Sequence, residues 1–220
     1  MKCIVIGAGP DIREQNHLKK LAKSKFQGSV IVTDVMLKDA LEAGVTPEKF
    51  PDYYVISIED MSNLSAFYDY EIIKKHAKNI KAILITISPA VERVLASFGF
   101  QMVTIDHEFG ERELQNVGSC AWYYAMYKLN ADEIILIGMN QGYPEQAFKD
   151  IDPEYRNLFL KYGHNPDTGA NFVLDPVYTY YSSTLKEYIS QAPRPTINCT
   201  VNTSIFGDNI ISVKLEDYLG

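Results

Sequence analysis

Met1-Lys2-Cys3-Ile4-Val5-Ile6-Gly7-Ala8-Gly9-Pro10-Asp11 opens the chain, and the reading of this stretch decides the fold. Cys3 to Ile6 is an apolar run without polar alternation, the pattern of a strand covered on both faces. It stops at Gly7. Gly7 and Gly9 permit a tight turn and a close backbone approach, and Asp11 followed three places on by Glu14 marks a helix start. Strand, glycine turn and helix form the first unit of a parallel α/β fold. A basic residue ahead of an apolar run is also how a secretory signal begins, but a run that ends at Gly7 is too short for a signal core.

The same unit recurs downstream. Val30 to Thr33, Tyr53 to Ile58, Ala82 to Ile87, Met102 to Ile105, Glu133 to Ile137 and Thr196 to Cys199 are short, β-branched runs. Helical spacing lies between them: Leu18, Leu21, Ala22 and Phe26; Val35 to Ala43, closed by Gly44 and Pro47; Leu64 to Lys78; Pro89 to Phe98; Glu113 to Asn130; and Val177 to Ser190. Residues 140–176 are rich in Gly, Pro, Asp, Asn and Tyr with weak periodicity, which predicts an irregular lid over the carboxyl ends of the strands. The expectation is a single Rossmann-like domain over residues 1–220: α/β, three layers, with a mostly parallel sheet of about 6–7 strands.

Composition narrows the function. The 220 residues are 46% apolar and 22% charged, which is ordinary for a globular protein. A net charge of −7 argues against a nucleic-acid surface, and Lys19, Lys20, Lys23 and Lys25 are spaced as the solvated face of a helix. Apolar runs such as Ile134 to Ile137 are too short for a membrane span. Cys3, Cys120 and Cys199 are odd in number and lack metal-ligand spacing, so they read as reduced, packed thiols of a cytoplasmic protein.

Ligands of open parallel sheets bind beyond the carboxyl ends of the strands. Those ends are Gly7 to Asp11, Asp34, Ser57 to Asp60, Ser88, Asp106-His107-Glu108, Gly138 to Gln141 and Asn198 to Thr200. The strongest is the first, where Gly7, Gly9, Pro10 and Asp11 lead into a helix whose N–H groups suit a phosphate; a plain structural turn is the alternative. The dinucleotide fingerprint is incomplete, because Ile12 stands at the third glycine. Asp34 suits a ribose hydroxyl or an N-cap. Glu59 and Asp60, with Asp106 and Glu108, suit Mg²⁺ beside a triphosphate, or are solvated loop acids. Gly118 and Ser119 read as a second phosphate-facing turn or as a packing glycine and its neighbour. Trp122, Tyr123, Tyr124 and Tyr127 suit a core or a base-stacking platform. His17 and His76 fall in helical stretches and are expected at the surface. His164, in the expected lid, carries the imidazole a general base near neutral pH requires.

Several segments together resemble a known core. They are Ile6 to Asp11; Val32-Thr33-Asp34 with Leu37-Lys38 and Gly44-Val45-Thr46-Pro47; Tyr54-Val55-Ile56-Ser57-Ile58-Glu59; Gly118-Ser119-Cys120-Ala121; Ile134 to Gly138; and Asn198-Cys199-Thr200. Their order is similar to the domain shared by the motility-associated factor (Maf) glycosyltransferase-like proteins and the MptE-like 6-hydroxymethylpterin diphosphokinases. The first group implies transfer of a nonulosonic, sialic-acid-like sugar from a CMP-sugar; the second implies transfer of diphosphate from ATP with Mg²⁺.

Ser57-Ile58-Glu59 matches the Maf-like Ser-Ile-acid pattern, whereas Ile58-Glu59-Asp60-Met61 keeps only one carboxylate of the Asp-x-Asp-Gly expected of the kinases. Gly138-Met139-Asn140 departs from the usual Gly-x-Asp. Maf proteins carry large flanking domains, and a core of this size by itself suits the pterin enzymes. The resemblance thus implies a nucleotide-dependent transferase, first a glycosyltransferase and second a diphosphokinase, binding a nucleotide or nucleotide-sugar and a small acceptor. It implies ligand contacts at Gly7, Gly9, Pro10, Asp11, Asp34, Ser57, Glu59, Gly118, Ser119, Asn140, Asn198 and Thr200, with His164 in place of the sialyltransferase-like histidine. A nucleotide-binding regulator that has lost its acids is the non-catalytic alternative.

Overall fold

A computed structural model of the chain describes residues 1–58, 64–85, 88–103, 114, 116–149 and 152–219. Its strands are β1 (Lys2–Ile6), β2 (Ser29–Thr33), β3 (Tyr53–Ser57), β4 (Lys81–Leu84), β5 (Gln101–Val103), β6 (Glu133–Ile137), β7 (Tyr143–Pro144), β8 (Lys161–His164), β9 (Asn171–Leu174), β10 (Thr196–Asn198) and β11 (Ile210–Ser212). The α-helices are α1 (Asp11–Glu14), α2 (His17–Lys23), α3 (Leu37–Glu42), α4 (Leu64–Tyr68), α5 (Glu71–His76), α6 (Pro89–Ser97), α7 (Val117–Tyr123), α8 (Pro153–Phe159), α9 (Pro176–Gln191) and α10 (Leu215–Leu219).

Eight strands form one sheet in the order β11-β10-β6-β1-β2-β3-β4-β5, and its pairings are parallel. Successive residues of a strand face opposite sides, so unbroken apolar runs supply two cores. Ile4 and Ile6 join Val30, Val32, Val55, Ile135 and Ile137 on one side, with Leu21 of α2 and Leu37 of α3. Cys3 and Val5 join Ile31, Ile56, Ile134 and Leu136 on the other, with Trp122 of α7 and Leu185 and Ile189 of α9. Helices on both faces make this a three-layer, Rossmann-like α/β fold. No helix among the described residues is long and apolar enough to cross a membrane.

The strand order determines where a crevice opens. From β1 the chain builds outward through β2, β3, β4 and β5, then returns to place β6 on the opposite side of β1. The connections after β1 and β6 therefore leave the sheet in diverging directions, and a crevice forms at their carboxyl ends.

The structure corrects several expectations. The parallel sheet has eight strands because Ile210–Ser212, only 3 residues long and half-exposed at Ile211, adds to β10 at the edge. The lid is not irregular: β7, β9 and β8 form a small antiparallel sheet. Its hairpin turns because Asn165 Oδ1 accepts the backbone N–H groups of Asp167 and Thr168, and Gly169 holds a φ of 74°. The single helix expected from Leu64 to Lys78 is interrupted at Tyr70, which is extended, and it ends in a 3₁₀ turn over Ala77–Asn79. α7 starts only at Val117, capped by Asn116, and continues as a π-helical turn over Tyr124–Lys128.

Within the aromatic cluster Trp122 and Tyr124 are core residues, while Tyr127 is exposed. His17 and His76 are buried rather than at the surface. The His17 imidazole is held below its ordinary pKa, chiefly by burial, and His76 Nδ1 lies 3.0 Å from Glu48 Oε1.

Candidate functional site

A cavity of about 380 Å³ lies at the carboxyl ends of β1, β2 and β6, where the strand order reverses. Gly7 to Pro10 form one wall, Gly138 to Gly142 a second, and Asn116 to Gly118 a third. Thr33 at the end of β2, Tyr143 and Pro144 of β7 and Tyr178 of α9 complete the lining. None of these described lining residues carries a charge.

The glycines act here through space. A Cβ on Gly7 would stand 2.6 Å from the carbonyl oxygen of Gly138, and one on Gly9 would stand 2.7 Å from the same oxygen and collide with the Asn140 side chain. A Cβ on Gly118 would meet Met139 Sδ at 2.7 Å. The turn after β1 thus approaches the Gly138 backbone more closely than side chains allow, and Gly118 packs on the flexible end of Met139. The N–H of Gly7 donates to the Ile137 carbonyl at 2.9 Å and that of Gly9 to the Gly138 carbonyl at 2.8 Å. Those two N–H groups are committed to the fold, so the cradle of glycine amides expected for a phosphate is not what this turn presents.

Asp11 is the first residue of α1 rather than its N-cap, which is Pro10. Its buried carboxylate accepts the N–H of Val201 at 2.5 Å, the N–H of Asn202 at 2.9 Å and Nδ2 of Asn202 at 2.9 Å. This anchors the loop after β10, which in turn supports the cavity wall. Met139 N–H donates to Thr200 Oγ1 at 3.0 Å, Thr203 Oγ1 donates to the Met139 carbonyl at 2.9 Å, and Ser204 Oγ donates to the Gln141 carbonyl at 2.6 Å. Asn198 braces the loop from within, with Nδ2 donating to the Ile205 carbonyl at 2.7 Å and Oδ1 accepting from Thr200 N–H at 3.0 Å. Asn198 and Thr200, expected at the ligand, are therefore buried supports behind the wall.

Removing the Asp11 carboxylate leaves three donors without their acceptor. Asp11→Ala is expected to lower stability by about 1–3 kcal/mol in urea denaturation. An unchanged midpoint would mean that the loop after β10 holds without this anchor.

Asp34 and Ser57 are buried away from the cavity lining. Ser57 Oγ donates to Asp34 Oδ2 at 2.5 Å, and Asp34 Oδ1 accepts the N–H of Val35 at 2.8 Å, which opens the 3₁₀ turn Asp34–Met36. Ser119 is buried and does not line the cavity, whereas Asn140 does.

His164 is exposed on β8, in the small sheet, with Nδ1 2.9 Å from Asn171 Oδ1, and it does not line the cavity. That position does not suit a general base acting in the cavity. Glu59, Asp60, Asp106, His107 and Glu108 lie outside the described residues. Among the described residues no group of three or more His, Cys, Asp or Glu side chains is placed to hold a metal ion.

Three lining residues are not evident from the sequence. Asn116 caps α7, its Oδ1 accepting the N–H groups of Gly118 and Ser119; the one signal is an Asn three places ahead of Ser119. Tyr143 and Tyr178 meet edge to face with ring centroids 4.9 Å apart. Asp175 ties them together, accepting Tyr143 Oη at 3.2 Å and capping α9 through the Tyr178 N–H at 2.7 Å. Burial first and the Asp175 charge second push the Tyr143 phenol up to about 12, so at neutral pH it is a hydrogen-bond donor.

A concave site whose described lining is uncharged, with aromatic side chains on one wall and amides on another, suits a polar ring compound. Compared with family models, with curated proteins and with solved structures, the chain finds no match.

Proposed function

We propose that the chain is a nucleotide-dependent transferase whose cavity holds the nucleoside portion of its donor, and that the reaction is glycosyl transfer from a CMP-linked, sialic-acid-like sugar. The observation that carries this reading is the position of the cavity together with the uncharged character of its described lining. It lies at the reversal of strand order between β1 and β6, where open parallel sheets bind nucleotides, and no described lining residue is charged. A nucleoside is uncharged, offers a face to Tyr143 and Tyr178, and leaves its phosphate at the mouth. In the reaction the bond from the anomeric carbon to the phosphate oxygen breaks, the oxygen of an acceptor hydroxyl takes its place and gives up its proton to water, and CMP leaves with the bonding electron pair. The resemblance in Ser57-Ile58-Glu59 supports the same donor.

Calorimetric titration with CMP, ATP and S-adenosylmethionine, each with Mg²⁺ and with EDTA, tests the proposal. CMP is expected to bind in both conditions. ATP binding that requires Mg²⁺, with none of CMP, would replace the glycosyltransferase by the diphosphokinase reading. CMP binding without CMP release from CMP-N-acetylneuraminate would favour the regulator.

A further inference from the structure

Two residues that line the cavity carry buried side-chain acceptors whose identity the neighbouring protein determines and whose partner it does not supply. Asn116 Oδ1 accepts the N–H groups of Gly118 at 3.0 Å and Ser119 at 3.2 Å, which defines that atom as oxygen. The Gln141 atom 2.9 Å from it must therefore be the nitrogen, and Oε1 is the atom left over. Asn140 follows the same logic. The Asn202 carbonyl accepts only from a donor, so the atom 2.5 Å away is Nδ2 and Oδ1 remains. Both remaining oxygens are buried without a hydrogen-bond partner, on side chains that are 3% and 6% exposed for Asn140 and Gln141.

Unpaired buried acceptors are rare in folded proteins and call for a reason. Both of these belong to residues that line the cavity. Gln141 also holds a left-handed backbone, with φ 47°, which a non-glycine residue adopts at a cost and which persists where the surroundings enforce it. Thr33, a third lining residue, likewise has its Oγ1 buried without a partner.

We infer that Asn140 and Gln141 are the specificity-determining residues of the cavity, and that they accept hydrogen bonds from N–H or O–H donors on an uncharged ring. This rests on the nucleoside reading and deepens it. The matching chemistry is an exocyclic amine of the base or a hydroxyl of the ribose. A phosphate oxygen in the same place would set acceptor against acceptor, so the phosphate points outward.

Calorimetric titration of the full chain with cytidine, uridine and 2′,3′-dideoxycytidine tests the inference. Uridine carries a carbonyl where cytidine has its amine, and the dideoxy compound lacks the ribose hydroxyls. The parent chain is expected to prefer cytidine about 10- to 100-fold over at least one of the two analogues, and the disfavoured analogue identifies the donor.

Gln141→Asn introduces a residue type that tolerates the left-handed backbone and withdraws the acceptor by one methylene; Asn140→Leu removes the other acceptor. In at least one folded variant the preference is expected to fall to within about threefold. Equal affinities for the three compounds in the parent, or a preference unchanged in both variants, would overturn the inference and leave the nucleoside reading standing. If none of the three binds, and neither CMP nor ATP does, both fall together.

Discussion

Trp122→Ala is expected to destabilise the fold by about 3–5 kcal/mol, more than the loss of the Asp11 carboxylate. The indole is fully buried on α7, in the core on one face of the sheet, and makes an edge contact with Tyr127. Its Nε1 donates to Thr196 Oγ1 at 2.8 Å, and Thr196, at the start of β10, is itself fully buried. Truncation therefore opens a cavity and leaves a buried hydroxyl without its donor, two losses that act in the same direction. The chain has one tryptophan, so the variant loses that fluorescence signal, and urea denaturation is best followed by far-ultraviolet circular dichroism. Trp122→Phe is expected to recover part of the difference. A loss below about 1 kcal/mol for Trp122→Ala would contradict the packing described.

Gly9→Val is expected to abolish measurable binding of CMP and to destabilise the chain by about 1–3 kcal/mol. The obstacle is the space beside Gly9 rather than its backbone angle, because a Cβ there meets the Gly138 carbonyl oxygen at 2.7 Å and the Asn140 side chain. Neither the β1 turn nor the β6 turn can yield alone. Gly9 N–H is bonded to Gly138, and the loop after β10 supports Met139 and Gln141 from behind. The replacement thus displaces the wall that carries Asn140 and Gln141, and an intact local structure is not expected. Thermal unfolding and calorimetric titration check both halves. Parent stability together with parent affinity would show that the two turns are not packed as closely as described.

The central strands were legible because a parallel strand buried on both faces announces itself locally. Cys3 to Ile6, Val30 to Thr33 and Glu133 to Ile137 are apolar at consecutive positions, and Gly7 and Gly138 mark the ends of the first and the last. β11 was not legible, since Ile-Ile-Ser at an exposed edge carries too little burial to set it apart from a loop. The small sheet hid for a related reason: its strands hold Gly163, His164 and Asn171, and the pairing of Lys161–His164 with Asn171–Leu174 is made by the Asn165 turn rather than by apolar alternation.

At the site, the position of the crevice followed from the strand–turn–helix pattern, and Gly7, Gly9, Pro10, Gly118 and Asn140 do line it. The roles of Asp11, Asn198 and Thr200 did not follow, because they rest on contacts between loops. Asp11 bonds residues 201 and 202, and Thr200 bonds residue 139. The burial of His17 on α2 is non-local in the same way, with Glu216, near the far end of the sequence, among the charges that act on it.

The central claim is that a nucleotide binds between the turns after β1 and β6. Titration of the ¹⁵N-labelled chain with CMP, followed through its backbone amide shifts, tests it most directly. The largest changes are expected to cluster at Gly7 to Gly9, at Asn116 to Gly118 and at Gly138 to Gly142. Largest changes in the surface groove beside α1, α2 and α3, at Arg13, Lys19 and Asp39, or no change at saturating CMP, would contradict it.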